Sequence, residues 1–146
     1  SLGFEDSLNP YEVTPADIAC VLKGGAFVTE KNVFDRVVTN IQDGSVIGYK
    51  YYDFGDDFGS MTMEFSAKIL GMGCDAVMHI LIDGEDGEEI GCCRIGHDSS
   101  AIHTIVKSVT GRHAVFFKIT TEYVGWMGEM FRGRNLFELC SFVFLK

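Results

Sequence analysis

Met61-Thr62-Met63-Glu64-Phe65-Ser66-Ala67-Lys68-Ile69 sets an apolar side chain at every odd position and a polar one at every even position. Successive side chains of an extended chain point to opposite faces, so a period of two describes a strand with one face on a core. Working outward, Gly71-Met72-Gly73 ends this strand, and Ala76 to Ile82 follows as a nearly continuous apolar strand. Asp83-Gly84-Glu85-Asp86-Gly87 is a hairpin loop by its Asp-Gly chemistry. Ile90 to Ile95 returns, Ile102 to Val109 runs on, and Thr110-Gly111-Arg112 turns the chain into Ala114 to Thr121. Toward the N-terminus, Asp43-Gly44 separates strands over Phe34 to Ile41 and Val46 to Phe54, and Leu136 to Phe144 closes the chain. No window of a dozen residues carries a 3.6-residue apolar period. About nine or ten short strands at regular spacing predict an all-β, antiparallel protein, a sandwich or a barrel. The 17 glycines and two prolines agree with strand-and-turn composition.

With 146 residues the chain is one domain. Surface scaling gives roughly 7,500 Å² folded against roughly 23,500 Å² unfolded, enough burial for a core without staples. The first dozen residues, with Asn9-Pro10-Tyr11, read as a linker from an upstream domain, which leaves 13–146 as the folded unit. A net charge of -9 would repel phosphate polyanions, so nucleic acid and anionic membranes are not expected partners. Apolar runs such as Phe142-Val143-Phe144-Leu145 are far too short to span a bilayer, and no basic-then-apolar leader opens the sequence. Cys20, Cys74, Cys92, Cys93 and Cys140 contain no CxxC and read as reduced, mostly core thiols, which favours a reducing compartment.

Enzymatic signatures are missing. No GxSxG, HExxH, GxxxxGK[ST] or GxGxxG is present. His79, His97, His103 and His113 lack metal-ligand spacing, and His79, inside an apolar run, reads as structural. Asp83, Glu85 and Asp86 lack the geometry of a calcium loop and read as a solvated hairpin tip. Asp56 and Asp57 are neighbours in a glycine-bounded turn rather than a placed catalytic pair.

The remaining chemistry suits a neutral, hydroxyl-rich ligand. A pyranose has an apolar C–H face and a belt of hydroxyls, so its site needs flat aromatic rings and carboxylate or amide partners. Tyr49, Tyr51 and Tyr52 lie near one sheet end, with Tyr49 and Tyr51 expected on one face. Glu122 to Asn135 is the single long irregular connection; it holds Tyr123 and the only tryptophan, Trp126, between Gly125 and Gly128. Glu30, Glu129 and Glu138 are candidate acceptors.

From about Asn9 to Lys146 the chain resembles a family 6 carbohydrate-binding module. Gly25-Ala26-Phe27-Val28-Thr29-Glu30 is similar to the family's G-x-x-x-T-E stretch, and Val46-Ile47-Gly48-Tyr49 to its V-G-Y segment. Gly111-Arg112-His113 resembles its G-T-H-x-L hairpin, and Leu136 to Phe144 its closing F-N-L-D-x-F-x-F strand. The resemblance implies a jelly-roll sandwich that binds β-linked plant polysaccharide of the xylan type, or its oligosaccharides, beside an upstream glycoside hydrolase catalytic domain. It also implies secretion or surface display, against the thiols.

Carried over residue by residue, Tyr49 and Glu30 would line the cleft. The family's cleft asparagine falls on Glu138, and its second aromatic wall falls near Ile102 or His103, where Trp126 would substitute from the neighbouring loop. The expected carbohydrate site is therefore Glu30, Tyr49, Trp126, Asn135 and Glu138, without catalysis. The structural-calcium positions of many relatives read Pro15, Asp17 and Cys140 here, a poor ligand set, so no cofactor is expected and a structural calcium is the one alternative that the resemblance leaves open. Two rivals follow from the departures: a non-binding accessory domain packed on a glycoside hydrolase, and a hydrolase or lyase using Glu30 and Glu138.

Overall fold

The alternating stretch forms the strand β6, Met61–Ile69, and its odd residues Met61, Met63, Phe65 and Ala67 are buried. The computed structural model describes residues 7–30, 36–56, 59, 61–69, 76–95, 101–121, 125–126 and 133–146. Before β6 come β1 (Thr14–Pro15), one 3₁₀ turn (Ala16–Ile18), β2 (Val21–Lys23), β3 (Phe27–Glu30), β4 (Arg36–Thr39) and β5 (Val46–Asp53). After it come β7 (Ala76–Ile82), β8 (Glu88–Ile95), β9 (Ala101–Val106), β10 (Arg112–Thr121) and β11 (Phe137–Leu145).

These strands make two antiparallel sheets. One has the order β3-β4-β11-β6-β9, with β1 also paired to β11; the other has the order β2-β5-β10-β7-β8. The two layers of a jelly-roll sandwich share one apolar interior. Phe142 of β11 stands at its centre, with ring centroids 4.8 Å from Tyr49, 4.9 Å from Phe117, 6.2 Å from Tyr52 and 6.4 Å from Phe65. Such tilted and edge-on aromatic pairs add about 0.5–1.5 kcal/mol each beyond the area they bury.

The tyrosines of β5 do not alternate as expected. Tyr49 pairs with Val115 and Tyr52 with His113, so Lys50 and Tyr51 together oppose the single residue Ala114. This bulge shifts the phase of the strand. Tyr49 and Tyr52 both face the core, while Lys50 and Tyr51 face solvent. The exposed Tyr51 ring is covered instead by the Arg112 guanidinium, 4.5 Å from its centroid.

The segment expected as a linker is partly docked on the sandwich. The Leu8 N–H donates to the Tyr51 carbonyl at 2.7 Å, the Phe144 N–H to the Pro10 carbonyl at 2.9 Å, and the Tyr11 hydroxyl to the Phe54 carbonyl at 2.8 Å. Strand β9 ends at Val106 rather than Val109, where the Lys107 N–H crosses to the Ile90 carbonyl at 2.7 Å. On the outer face of the second sheet, Val46, Leu81, Ala114 and Phe116 make a small satellite cluster. Gly48 makes room for it, since a Cβ there would lie 2.6 Å from the Phe116 ring.

Each buried tyrosine hydroxyl reaches the N-terminal segment. Tyr49 donates to the Ala16 carbonyl at 2.8 Å and Tyr52 to Thr14 Oγ1 at 3.1 Å. Burial pushes the Tyr52 phenol up to about 12 and holds that of Tyr49 well above its ordinary value. Phenols that ionise later in the folded chain than in the unfolded one contribute stability that is complete below about pH 10 and lost as pH rises above it. Thermal melts between pH 8 and 11.5 should therefore show a steep fall above about pH 10, which the Tyr49→Phe/Tyr52→Phe double variant flattens.

Candidate functional site

The loop end of the sandwich is organised by the turn at residues 40–45, which ties down both feet of the connection between β10 and β11. At one foot the Thr121 N–H donates to Asp43 Oδ1 at 2.9 Å, and the Gly44 N–H to the Ile119 carbonyl at 2.7 Å. At the other, the Leu136 N–H donates to the Ile41 carbonyl at 2.8 Å, and the Ile41 N–H to Asn135 Oδ1 at 2.9 Å. Trp126 lies in the connection so anchored and is 73% exposed. Tyr123 and Glu129 lie outside the described residues.

Asn135 and Glu138 are brought together, and the residue that joins them is Thr39, which sequence reasoning missed. Asn135 Nδ2 donates to Thr39 Oγ1 at 2.7 Å, and the Thr39 hydroxyl donates to Glu138 Oε2 at 2.8 Å. The order of protons is fixed from one end. The Ile41 N–H can only donate, so it selects Asn135 Oδ1 and leaves the amide NH₂ for Thr39, whose single proton goes to the carboxylate. Thr39 and Glu138 are both nearly inaccessible, at 7% and 2% exposure. A buried carboxylate needs such partners, because an unmade hydrogen bond there costs about 1–3 kcal/mol. A hydroxyl at the end of the apolar run Val37-Val38 was the available signal, but its partner is 99 positions away.

Two expected site residues stand elsewhere. Tyr49 is fully buried against Phe117 and Phe142, so it cannot stack on a sugar. The alternation Ile47, Tyr49 places it on the core face. Glu30 is exposed at the far end of β3, opposite Arg36, whose Nε lies 3.9 Å from its carboxylate. Val28 packs on the core, and Glu30, two residues on, shares that side of the sheet. Glu138 alternates with the core residues Phe137 and Leu139 and so faces the other way. The two carboxylates do not share a cleft.

At the expected calcium positions, Asp17 Oδ2 lies 3.8 Å from the Arg36 guanidinium, and Pro15 offers no side-chain oxygen. Among the described residues no three His, Cys, Asp or Glu side chains gather for a metal. Three histidines are matched instead with carboxylates: His79 with Glu89 at 2.5 Å, His113 with Asp83 at 2.9 Å and His103 with Glu64 at 3.8 Å. His97 and Asp57 lie outside the described residues. Ile102 is buried and not aromatic, and the exposed ring at the neighbouring position is that of His103 rather than a tryptophan.

No protein-family model matches the chain, and no curated protein matches it. Solved structures do match. A glycoside hydrolase family 43 arabinoxylan arabinofuranohydrolase from Bacillus subtilis, in complex with cellotetraose, superposes with a TM-score of 0.77 at 24% identity. That match covers 97% of this chain and 28% of the hydrolase, so the chain spans under a third of that protein. A family 6 carbohydrate-binding module from Clostridium cellulolyticum, in complex with xylose, matches with a TM-score of 0.76 at 20% identity, over 95% of this chain and 100% of the module. A β-1,3-glucan binding member from Bacillus halodurans matches with a TM-score of 0.75 at 18% identity, over 97% of this chain and 100% of that one. Strand order, the two-sheet core and these superpositions agree: this chain has the jelly-roll fold of the family 6 carbohydrate-binding modules.

Proposed function

We propose that the chain is a non-catalytic carbohydrate-binding module for β-linked plant polysaccharide of the xylan type and its oligosaccharides, held beside a glycoside hydrolase. The observation that carries this reading is Trp126: a large flat ring, 73% exposed, on a connection pinned at both feet to the loop end. An indole left in water is the chemistry that covers the C–H face of a pyranose. The placement of Glu30 and Glu138 on opposite faces of the first sheet supports the absence of hydrolysis, which needs two carboxyls about 5–9.5 Å apart. The match to a structure in complex with xylose, and to part of an arabinoxylan hydrolase, supports the ligand class and the tethering.

One stacked ring and a few net hydrogen bonds of about 0.5–1.5 kcal/mol each give affinities on the order of micromolar to millimolar. Tethering to an enzyme makes such affinities sufficient, because it raises the effective concentration. The accessory-domain reading is favoured by two observations, the burial of Tyr49 and the engagement of Glu138 by Thr39. It predicts no carbohydrate binding at all.

Calorimetric titration with xylohexaose and cellohexaose separates the readings. Binding is expected, with no release of reducing sugar, and Trp126→Ala should raise Kd about tenfold while leaving Tm unchanged. Heat-silent titrations across a panel of xylans and glucans would remove the binding reading. Thr39→Val should lower unfolding stability in urea by about 1–3 kcal/mol, because it strands the Asn135 amide and the Glu138 carboxylate together, and Thr39→Ser should restore it.

A further inference from the structure

Phe27 is a large apolar side chain on an edge strand, where exposed hydrophobic surface is ordinarily avoided, yet it is 51% exposed. Its register partner is Thr39, the hydroxyl at the centre of the buried polar chain. Directly paired residues share a face of the sheet, so Phe27 stands on the outer face, opposite the side on which Val28 and Val38 meet the core. The tight turns immediately beyond this pair bring two carboxamides together over Gly25, two residues before Phe27. Asn40, at φ 57°, donates its Nδ2 to the Gly25 carbonyl at 2.9 Å. Gln42 lays its side chain over Gly25, where a Cβ would come 2.6 Å from Nε2 and 3.2 Å from Asn40 Nδ2. A Cβ there would displace the Gln42 amide, and the φ of 93° favours glycine at the same position.

A half-exposed phenyl ring two residues along the chain from a glycine capped by two carboxamides combines the groups that recognise sugar. The ring covers the C–H face, and each amide offers an acceptor and donors to the hydroxyls. Asn40 and Gln42 belong to the turn that anchors the connection carrying Trp126, so this patch sits at the same end of the sandwich. We infer that Phe27, with Asn40 and Gln42, forms a second stacking position for a pyranose unit, in place of the aromatic wall that the buried Tyr49 cannot supply. The inference deepens the proposed function and rests on it.

The test is titration of the wild type, Phe27→Ala, Phe27→Tyr, Gln42→Ala and Trp126→Ala with xylohexaose and with cellohexaose, each variant's fold checked by near-UV circular dichroism and melting. The expected result is a Kd about tenfold weaker for Phe27→Ala, recovered by Phe27→Tyr, with a smaller loss for Gln42→Ala. Wild-type affinity in Phe27→Ala and Gln42→Ala, alongside weakened binding in Trp126→Ala, would overturn the Phe27 position and leave the module's function standing. Absence of binding by the wild type would overturn both.

Discussion

The Phe142 ring is the point through which the two sheets are joined. It comes from the strand at the middle of the first sheet, and it meets Tyr49 and Phe117 of the second at under 5 Å. A close-packed interior of this kind fixes rotamers as well as volume, because each ring needs its neighbours' edges or faces where they are. Tyr49 and Tyr52 are drawn into it, and their hydroxyls must then find acceptors in an apolar place. They find them in the Ala16 carbonyl and the Thr14 hydroxyl. The N-terminal segment is thus held by the polar ends of core residues as well as by its own strand pairing. The constraint that closes the interior is also the one that removes these tyrosines from any surface role.

A second constraint acts at the loop end. The connection between β10 and β11 is long for an antiparallel sandwich, and a long connection is a poor place for a precise site unless its ends are fixed. Here both feet rest on one six-residue turn, through the Asp43 carboxylate on one side and the Ile41 peptide on the other. The Asn135–Thr39–Glu138 chain continues that anchorage under the outer face of the first sheet. Its fixed proton order means that Glu138 serves as an internal acceptor for Thr39. A carboxylate there can only accept, so Glu138 secures the rim through Thr39 and brings no donor of its own.

Strand content was legible in the sequence because a period of two is a local signal. Met61 to Ile69 carries it within its own residues, Ala76 to Ile82 reads as a nearly continuous apolar run between turns, and Leu136 to Phe144 as the closing apolar strand. Tyr49 was expected to stack on a ligand both from its ring chemistry and from family likeness, and it is the packing on Phe117 and Phe142 that puts its face of the strand in the core. What no local pattern contains is the bulge at Lys50 and Tyr51, which depends on Ala114 in another strand and turns Tyr51 to solvent and Tyr52 to the core. Thr39 and Glu138 were equally invisible as a pair, since only the β4–β11 register brings them face to face. Glu30 failed to join them for the same reason: its type suited the site, but position along a strand and face of a sheet are properties of the assembled fold.

The distribution of aromatic residues links these constraints to function. Folding takes Tyr49, Tyr52, Phe54, Phe65, Phe117, Phe137, Phe142 and Phe144 entirely out of solvent. Leaving Trp126 and Phe27 exposed gains nothing for the interior, and each forgoes about 1.5–3 kcal/mol that burial of a large side chain supplies. A lone exposed ring needs no explanation, since much of any protein surface is apolar. Two large rings at one end of a sandwich, each on a backbone tied to the same turn, are harder to assign to chance. The net charge of -9 disfavours polyanions but leaves neutral, hydroxylated chains unopposed, and such chains need flat surfaces with amides close by. A fold that holds eight aromatic rings inside and ties the turn at its loop end by hydrogen bonds sets Phe27 on paired backbone and Trp126 on a connection fixed at both feet, which limits the entropy that the proposed binding would cost.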